Sequence, residues 1–285
     1  ALVAGGHALL EGVPGVAKTL LVRTMATALD VDMARIQFTP DLMPADITGS
    51  LVWDAGSSAF EFRRGPVFTN LLLADEINRT PPKTQSALLE AMEERQVSVD
   101  GQTHALADPF MVIATQNPVE YEGTYPLPEA QLDRFLLKLE LPLPGRDAEF
   151  GIVKRHRDGF NPLALADAGV RPVASPADIA AARGAAARVD VSDTVLAYLV
   201  DVCRATRESP SVRLGASPRG ATALLRTTRV WAFLQGRGFA TPDDVKAMAA
   251  PTLAHRIGLR AEADLEGLTA ARVVEGVLAQ VPVPR

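Results

Sequence analysis

Residues 12–19 read Gly-Val-Pro-Gly-Val-Ala-Lys-Thr, and they stand between the apolar stretches Ala8-Leu9-Leu10 and Leu20-Leu21-Val22. Glycines let the backbone fold so closely that several N–H groups face one anion, and the N-terminus of a following helix adds partial positive charge. The spacing predicts a strand, a phosphate-binding loop and a helix, in that order. We therefore expect the chain to bind a nucleoside triphosphate.

Each residue of this loop is expected to contact the nucleotide. The set is Gly12, Val13, Pro14, Gly15, Val16, Ala17, Lys18 and Thr19. Lys18 can reach the β- and γ-phosphates, and the hydroxyl of Thr19 would bind Mg²⁺. The strict motif has glycine directly before the lysine. Ala17 stands there instead, at a cost on the order of 1 kcal/mol if the backbone needs a positive φ. Alone, this near match also fits an ordinary turn between a strand and a helix.

A second motif follows further along the chain, where the apolar run Leu71-Leu72-Leu73-Ala74 ends in Asp75 and Glu76. This form is typical of a buried parallel strand with acids at its carboxyl edge, where open α/β sheets bind their ligands. We expect Asp75 to hold the metal and Glu76 to orient and polarise the attacking water. The alternative is a buried strand that runs into an exposed acidic loop, and the phosphate-binding loop upstream weakens it.

Composition limits the remaining classes of function. The chain has 285 residues, of which 47% are hydrophobic and 22% charged, so two globular domains of ordinary size are expected. The formal net charge of −5, without a dense Lys or Arg run, gives no support for a nucleic-acid partner. No stretch approaches the roughly 18 apolar residues that a membrane span needs, so membrane insertion is not expected.

Cysteine usage indicates the compartment. Cys203 is the only cysteine, so an internal disulfide is excluded and a reducing, cytoplasmic location is expected. Cys203 shares an apolar stripe with Val195, Leu199 and Val202, and is therefore expected in the core. The first residues, Ala1-Leu2-Val3, lack an initiator methionine and lie almost on the first strand, which leads us to expect a preceding N-terminal segment.

Alternating strand and helix patterns up to residue 143 predict an α/β domain with a parallel sheet. Two hairpins interrupt it near residues 50–64 and 96–106, the second with an Asp-Gly turn. Trp53 and Phe60 either pack the first hairpin or present a working surface. Residues 144–285 read as an all-α domain. Ser-Pro or Thr-Pro pairs at Ser175, Ser217 and Thr241 predict three helix starts there.

At this point the chain resembles the MoxR family of AAA+ ATPases, in the helix-2-insert clade. The resemblance covers almost the whole chain, and five ordered motifs carry it: residues 12–19, Gln37–Gly49, Asp75–Arg79, Gln85–Glu93 and Ala114–Pro118. In that family alanine before the lysine of the loop is usual. The resemblance implies a P-loop AAA+ nucleotide-binding domain with a helical lid, and it assigns the two hairpins to the family's inserts.

The resemblance also implies further catalytic residues. Asn117 looks like the sensor-1 residue that places the lytic water, and Arg134, in Leu132-Asp-Arg-Phe135, looks like an arginine finger. Arg219, at a helix start, looks like sensor 2. Arg134 lies too far along the chain to be assigned to its own nucleotide, so a neighbouring subunit would complete the site. The alternatives are an ion pair of Arg134 with Asp133 or Glu129, and a surface position for Arg219.

By this resemblance the chain is expected to be a Mg²⁺-dependent ATPase in a homo-oligomeric, hexameric ring. It would remodel or mature a client protein, such as one with a von Willebrand factor A domain. Two other readings stay open. One is a motor on nucleic acid or a chelatase-like subunit. The other is a nucleotide-gated scaffold without turnover, against which Glu76, Asn117 and Arg134 argue.

Overall fold

A computed structural model describes residues 1–13, 15–117 and 123–284. The chain divides into two compact units. The sheet unit comprises His7–Leu127 and Leu139–Ile179, and the helical unit comprises Ala1–Gly6, Pro128–Lys138 and Ala180–Arg285. Each unit is thus built from separate stretches of sequence. A division of the chain near residue 143 remains a proposal.

The strands follow one another along the chain as β1 Ala8–Glu11, β2 Met33–Gln37, β3 Gly49–Asp54, β4 Ala59–Arg64, β5 Leu71–Asp75, β6 Gln96–Val99, β7 Gln102–Ala105, β8 Met111–Gln116, β9 Leu137–Glu140, β10 Val212–Leu214 and β11 Gly258–Leu259. The central sheet has the order β2-β5-β8-β1-β9, and β1, β2, β5 and β8 pair in parallel. The predicted α/β class with a parallel sheet is therefore confirmed.

Strand β5 shows why the acids lie where they do. Its residues Leu71, Leu72, Leu73 and Ala74 are fully buried between β2 and β8, as a continuous apolar run requires in a sheet covered on both faces. Asp75 ends the strand and is the first of its residues to leave the core. The sequence thus places a carboxylate at the carboxyl edge of the sheet.

The helices are α1 Lys18–Ala28, α2 Pro44–Thr48, α3 Pro82–Glu94, α4 Glu129–Leu132, α5 Arg146–Arg157, α6 Pro176–Ala187, α7 Asp193–Glu208, α8 Pro218–Leu234, α9 Pro242–Leu253, α10 Ala261–Leu265 and α11 Ala270–Gln280. The core of the helical unit is formed mainly by α7, α8, α9 and α11. No helix in the described part of the chain combines the length and apolar character needed to cross a bilayer.

The helical unit corrects one expectation, because it is not purely helical. Strands β10 and β11 form a short antiparallel pair in which Val212 lies opposite Leu259. Val212 is buried, and an extended backbone lets it reach the core between α7 and α8 while its polar groups bond to the partner strand. This segment is too short to show a strand period in the sequence.

The predicted helix starts are confirmed. Ser217 accepts a hydrogen bond from the amide of Gly220 at 3.2 Å, and Asp244 accepts from the amide of Thr241 at 2.8 Å. Asp178 likewise accepts from the amide of Ser175 at 2.8 Å. Cys203 is buried as expected, and burial raises the pKa of its thiol to about 11.

Both hairpins form where they were predicted. The first, β3 with β4, exposes Trp53 and Phe60, whose rings meet edge to face with centroids 5.2 Å apart. At its root, where β3 begins and β4 ends, two glycines lie very close to backbone atoms of the opposite strand end. A Cβ on Gly49 would lie 2.3 Å from the carbonyl oxygen of Arg63, and one on Gly65 would lie 2.3 Å from that of Ile47. Only glycine allows the two chains to approach so closely there.

Candidate nucleotide site

The phosphate-binding loop joins β1 to α1 in the sheet unit. Its Gly12 accepts a hydrogen bond at its carbonyl from Lys18 Nζ, at 2.6 Å. A Cβ on Gly12 would lie 2.6 Å from the carbonyl oxygen of Leu141, so this position requires glycine. Val13 is half-buried, and Pro14, expected to bind nucleotide, lies outside the described residues. The rest of the loop, from Gly15 to Thr19, lines a cavity of about 500 Å³.

Helix α1 begins at Lys18, at the end of this loop. Ala17, which precedes the helix, has φ 59° and ψ 29°, in the left-handed region. The departure from glycine therefore carries its expected cost of about 1 kcal/mol. Within the described residues no side chain caps α1, and its first turn holds no acid. Its first N–H groups are therefore available to an anion, which the helix dipole also favours.

Lys18 lies in the same cavity as the two acids of β5. Burial lowers the pKa of its ammonium group, and the nearby carboxylates of Asp75 and Glu76 oppose that shift. A cation that is partly withdrawn from water and faces two acids has a strong electrostatic interaction with any phosphate that enters.

Asp75 is held by two partners that the sequence did not indicate. Thr115, in β8, donates its hydroxyl to Asp75 Oδ1 at 2.6 Å. Arg35, in β2, donates to Asp75 Oδ2 from Nη2 at 2.7 Å and from Nε at 3.2 Å. The carboxylate is thus fixed in direction, and its charge is offset by an arginine whose side chain is 47% exposed.

Glu76 adopts a backbone conformation that is rare for glutamate, with φ 57°. Its amide donates to Thr115 Oγ1 at 2.8 Å, and its carboxylate accepts from Gln37 Nε2 at 2.7 Å. Arg79 lies 3.3 Å from the same carboxylate oxygen. Strain of this kind persists only where surrounding contacts enforce it, and it is concentrated at functional sites.

The residues present suit magnesium. Thr19 and Asp75 line one cavity and supply a hydroxyl and a carboxylate, which are hard oxygen donors. In the described part of the chain no three His, Cys, Asp or Glu side chains cluster to hold a metal on their own. Magnesium at nucleotide sites takes one or two protein oxygens together with substrate phosphates, so this sparse donor set fits it.

Asn117 is buried directly after β8 and lines the nucleotide cavity, and its role as sensor 1 stays a prediction. The far wall contains residues that sequence reasoning missed, among them His156 of α5 and Leu163 of the loop that follows it. The ring of His156 meets that of Phe160 edge to face at 5.5 Å. An apolar and aromatic wall beside a phosphate loop is suited to the base of a nucleotide.

Arg134 and Arg219 both belong to the helical unit, where they line a cavity of about 330 Å³ with Arg226, Arg256 and Asp133. Asp133 pairs with Arg256 at 2.6 Å and with Arg219 at 3.6 Å. Glu129, the other acid considered as a partner for Arg134, pairs with Arg213. Each of these acids is thus paired with at least one other arginine, and the described residues that line the cavity include four arginines and Asp133.

The missed residues had weak signals in the sequence. Arg35 and Gln37 alternate along β2, so they share one face, and the parallel register places Gln37 opposite Asp75. Strand pairing alone identifies them as neighbours of the acids. Arg256 follows His255 between the apolar residues Ala254 and Ile257, and this local sequence does not mark it as a buried cation.

Comparison with known proteins agrees with this geometry. Residues 7–137 match the ATPase family associated with various cellular activities (AAA), and residues 204–277 match the AAA lid domain. The chain is 41% identical to the crystal structure of an ATPase candidate from Cytophaga hutchinsonii. The two structures superpose with a TM-score of 0.90, and the match covers 100% of this chain and 87% of the other.

Three relatives match over almost the whole chain. YeaC of Bacillus subtilis is 49% identical, over 100% of this chain and 87% of its own length. Chaperone MoxR1 of Mycobacterium tuberculosis is 42% identical, over 100% and 76%. MoxR of Paracoccus denitrificans is 32% identical, over 98% and 88%. With a nucleotide site of this form, these matches show that the chain is an ATPase and belongs to the MoxR family of AAA+ proteins.

Proposed function

We propose that this ATPase requires Mg²⁺ and works as a homo-oligomeric ring of six subunits, in which each nucleotide is served by residues of two neighbours. Its hydrolysis cycle drives the remodelling or maturation of a client protein. The observation that carries the proposal is the cavity of the helical unit, which Arg134, Arg219, Arg226 and Arg256 line together with Asp133. Such a cluster of guanidinium groups suits a transferring phosphoryl group.

On the nucleotide side the roles follow from the contacts. The loop amides and Lys18 bind the β- and γ-phosphates, and Thr19 and Asp75 would hold magnesium. Magnesium, when bound, neutralises charge on the phosphate oxygens. Glu76 accepts a hydrogen bond from the attacking water and orients it, and Asn117 lies in the same cavity to assist. Gln37 and Arg79 hold the Glu76 carboxylate in place.

On the other side, Arg134 acts as the arginine finger and Arg219 as sensor 2. Each would contact the γ-phosphate bound by a neighbouring subunit. A guanidinium is suited to this role because its fixed donors match the spread charge of the transition state. A ring satisfies the requirement, because every subunit then gives its arginines to one neighbour and receives those of another. Arg79 and Glu93 are further candidates for this interface.

The client is proposed to be a protein, for instance one with a von Willebrand factor A domain, and the location to be cytoplasmic. Two observations support a protein client. Relative MoxR1 is named a chaperone. The first hairpin exposes Trp53 by 52% and Phe60 by 67%, and exposed aromatic side chains of this size are typical of protein-binding surfaces.

A motor on nucleic acid is less well supported. The formal net charge is −5, and the turn of the second hairpin, Asp100-Gly101-Gln102, carries no basic residue. A protein client is therefore the stronger proposal.

Mixing two inactive variants tests the shared site. Arg134→Ala should bind ATP normally but hydrolyse it about 10³–10⁵-fold more slowly. Glu76→Gln should bind ATP but not turn it over. In mixed rings an intact Arg134 lies beside an intact Glu76, so phosphate release should exceed the sum of the separate activities. Wild-type specific activity should also rise with protein concentration over the range in which rings assemble.

The opposite results would be equally clear. Flat specific activity across concentrations, together with no recovery on mixing, would show that each chain completes its own site. A scaffold without turnover would appear as ATP binding with no phosphate release by the wild-type protein.

A further inference from the structure

Arg256 is the most enclosed charged side chain in the arginine cavity. It ends a short 3₁₀ turn, Ala254–Arg256, that follows α9, and its side chain is only 4% exposed. A guanidinium so far from water is tolerated only when its donors are hydrogen-bonded. The hydrogen-bond partners of Arg256 are therefore what allows a cation to be kept in this buried position.

The partners of Arg256 are the residues on both sides of Arg134. Its Nε donates to Asp133 Oδ1 at 2.6 Å, and its Nη2 donates to the carbonyl oxygens of Asp133 at 3.1 Å and Phe135 at 2.7 Å. Its Nη1 donates to the carbonyl of Leu136 at 3.2 Å. One side chain thus bonds to three of the four residues from Asp133 to Leu136, on both sides of the arginine finger.

The same guanidinium is anchored to its own element. Nη1 also donates to the carbonyl of Thr252 in the last turn of α9. His255 Nε2 lies 2.9 Å from the Phe135 carbonyl, which adds a second contact between the 3₁₀ turn and the segment that carries Arg134. The backbone around Arg134 is therefore tied to the end of α9, in addition to the local turn bonds that its amides donate to α4.

Two contacts extend this arrangement to Arg219. Asp133, held by Arg256, lies 3.6 Å from Arg219 Nε. Gly220, the next residue in the first turn of α8, would place a Cβ 3.3 Å from Cδ of Arg256, so the helix start packs on the arginine side chain. Arg256 is thus in contact with the segments that carry both proposed phosphate-sensing arginines.

We propose that Arg256 is a positioning residue that joins the segment Asp133–Leu136 to the first turn of α8, so that Arg134 and Arg219 are presented to a neighbour's nucleotide as one rigid pair. The inference rests on the proposed shared site. Lysine cannot replace Arg256, because an ammonium group has no planar fork to span a carboxylate and three carbonyls.

The test uses Arg256→Gln and Arg256→Lys in the assembled protein. Both should keep the KM for ATP within about twofold and lower kcat by about 10–100-fold, since a misplacement of a catalytic group by 1 Å costs about that much. Ring assembly is followed by sedimentation velocity. Arg237→Lys is the matched control, because Arg237 also pairs with a buried acid of the helical unit, Asp244, at 2.5 Å. It should assemble and keep its kcat.

Complementation separates positioning from a merely structural effect. Arg256→Gln mixed with Glu76→Gln should regain activity, because the Glu76→Gln subunits supply a well-placed Arg134. Arg256→Gln mixed with Arg134→Ala should regain none, because both damage the same side of the interface. If Arg256→Gln does not fold, Asp133→Asn carries the same two mixing tests.

Three results would overturn the inference. They are wild-type kcat in both Arg256 variants, an equal loss in Arg237→Lys, and failure of Arg256→Gln to recover with Glu76→Gln while Arg134→Ala does recover. Failure of Arg134→Ala itself to recover would instead reject the shared site. The two proposals therefore fail in distinguishable ways.

Discussion

Two ion pairs of nearly equal length serve the two units in different ways. Arg35 lies 2.7 Å from Asp75 in the sheet unit, and Arg256 lies 2.6 Å from Asp133 in the helical unit. The first arginine side chain is 47% exposed and the second 4%. An exposed pair contributes little to stability and can exchange its partner for a ligand, whereas breaking a buried pair leaves an uncompensated charge. Distance alone therefore does not reveal the role of a pair.

The surroundings of the acids and of the arginines also differ in what holds the side chains. Around the nucleotide, Asp75 and Glu76 are held by polar groups that a metal or a water can replace. Around the arginines, Arg256 binds backbone carbonyl groups, which no ligand is expected to replace. We therefore expect the nucleotide side to rearrange during the cycle and the arginine side to keep its geometry.

Among the three variants that compare these surroundings, Glu76→Gln, on the nucleotide side, should have the largest effect. Glu76→Gln keeps a group that can bond to Gln37 but loses the charge that polarises water, so turnover should fall by about 10²–10⁴-fold. ATP binding, measured by calorimetry, should stay within a few-fold of wild type. Glu11→Gln is the control, because Glu11 also lies near Lys18 and should cost less than about threefold. Equal losses in both variants would mean that overall negative charge matters, rather than Glu76.

A smaller effect, on the free energy of unfolding, is expected from His255, which neighbours the buried Arg256. Burial, together with the neighbouring Arg256, lowers the pKa of His255 to about 3. The unfolded chain titrates near pH 6.5, so between pH 6.5 and 3 it binds the additional proton. Above pH 6.5 the neutral His255 therefore makes its full contribution to the free energy of unfolding. This contribution is lost as the pH falls from 6.5 toward 3. Between pH 7 and 5 the loss should be about 2 kcal/mol.

Urea unfolding of wild type and His255→Gln at these two pH values measures that contribution. The variant should show a shallower decline in the free energy of unfolding, whatever its stability at pH 7. Identical declines in the two proteins would show that His255 is not kept neutral by its surroundings, and would contradict the expectation that the arginine side keeps its geometry.

The smallest effect is expected from Arg35→Gln. The pair with Asp75 is exposed, so the free energy of unfolding should change by less than about 1 kcal/mol. Mg²⁺ should bind the ATP complex more tightly, because the Asp75 carboxylate loses a competing cation. Arg272→Gln, which breaks an exposed pair with Glu275 in the helical unit, should change stability as little and leave Mg²⁺ affinity unaltered. A loss of several kcal/mol in Arg35→Gln would remove the contrast between the two pairs.

Sequence reasoning was strongest where function depends on neighbours along the chain. The loop from Gly12 to Thr19 and the run ending in Asp75 and Glu76 each carry their chemistry within one short segment. The parallel sheet, the two hairpins and the helix starts followed from local patterns of the same kind. These are the features that glycine, proline and hydrophobic periodicity control directly.

What the sequence could not supply depends on residues that meet only in the fold. Thr115 reaches Asp75 because β8 lies beside β5, and Arg256 reaches Asp133 across 123 positions of sequence. Strand order and the packing of the helical unit determine such meetings, and neither is written in a local pattern. The pair β10 and β11 was missed for the same reason, because two or three residues are too few to show a period.

The two glycines at the root of the first hairpin have a consequence for inheritance. A side chain at Gly49 or Gly65 would collide with a backbone carbonyl, whereas a Cβ on Gly56 in the turn would come no closer than 3.6 Å to its nearest neighbour. Mutations in the turn can therefore survive selection for folding, while those at the root are removed. Descendants of this protein can therefore vary the hairpin turn repeatedly while Gly49 and Gly65 stay unchanged. They can acquire new surfaces at the turn without changes to the nucleotide site.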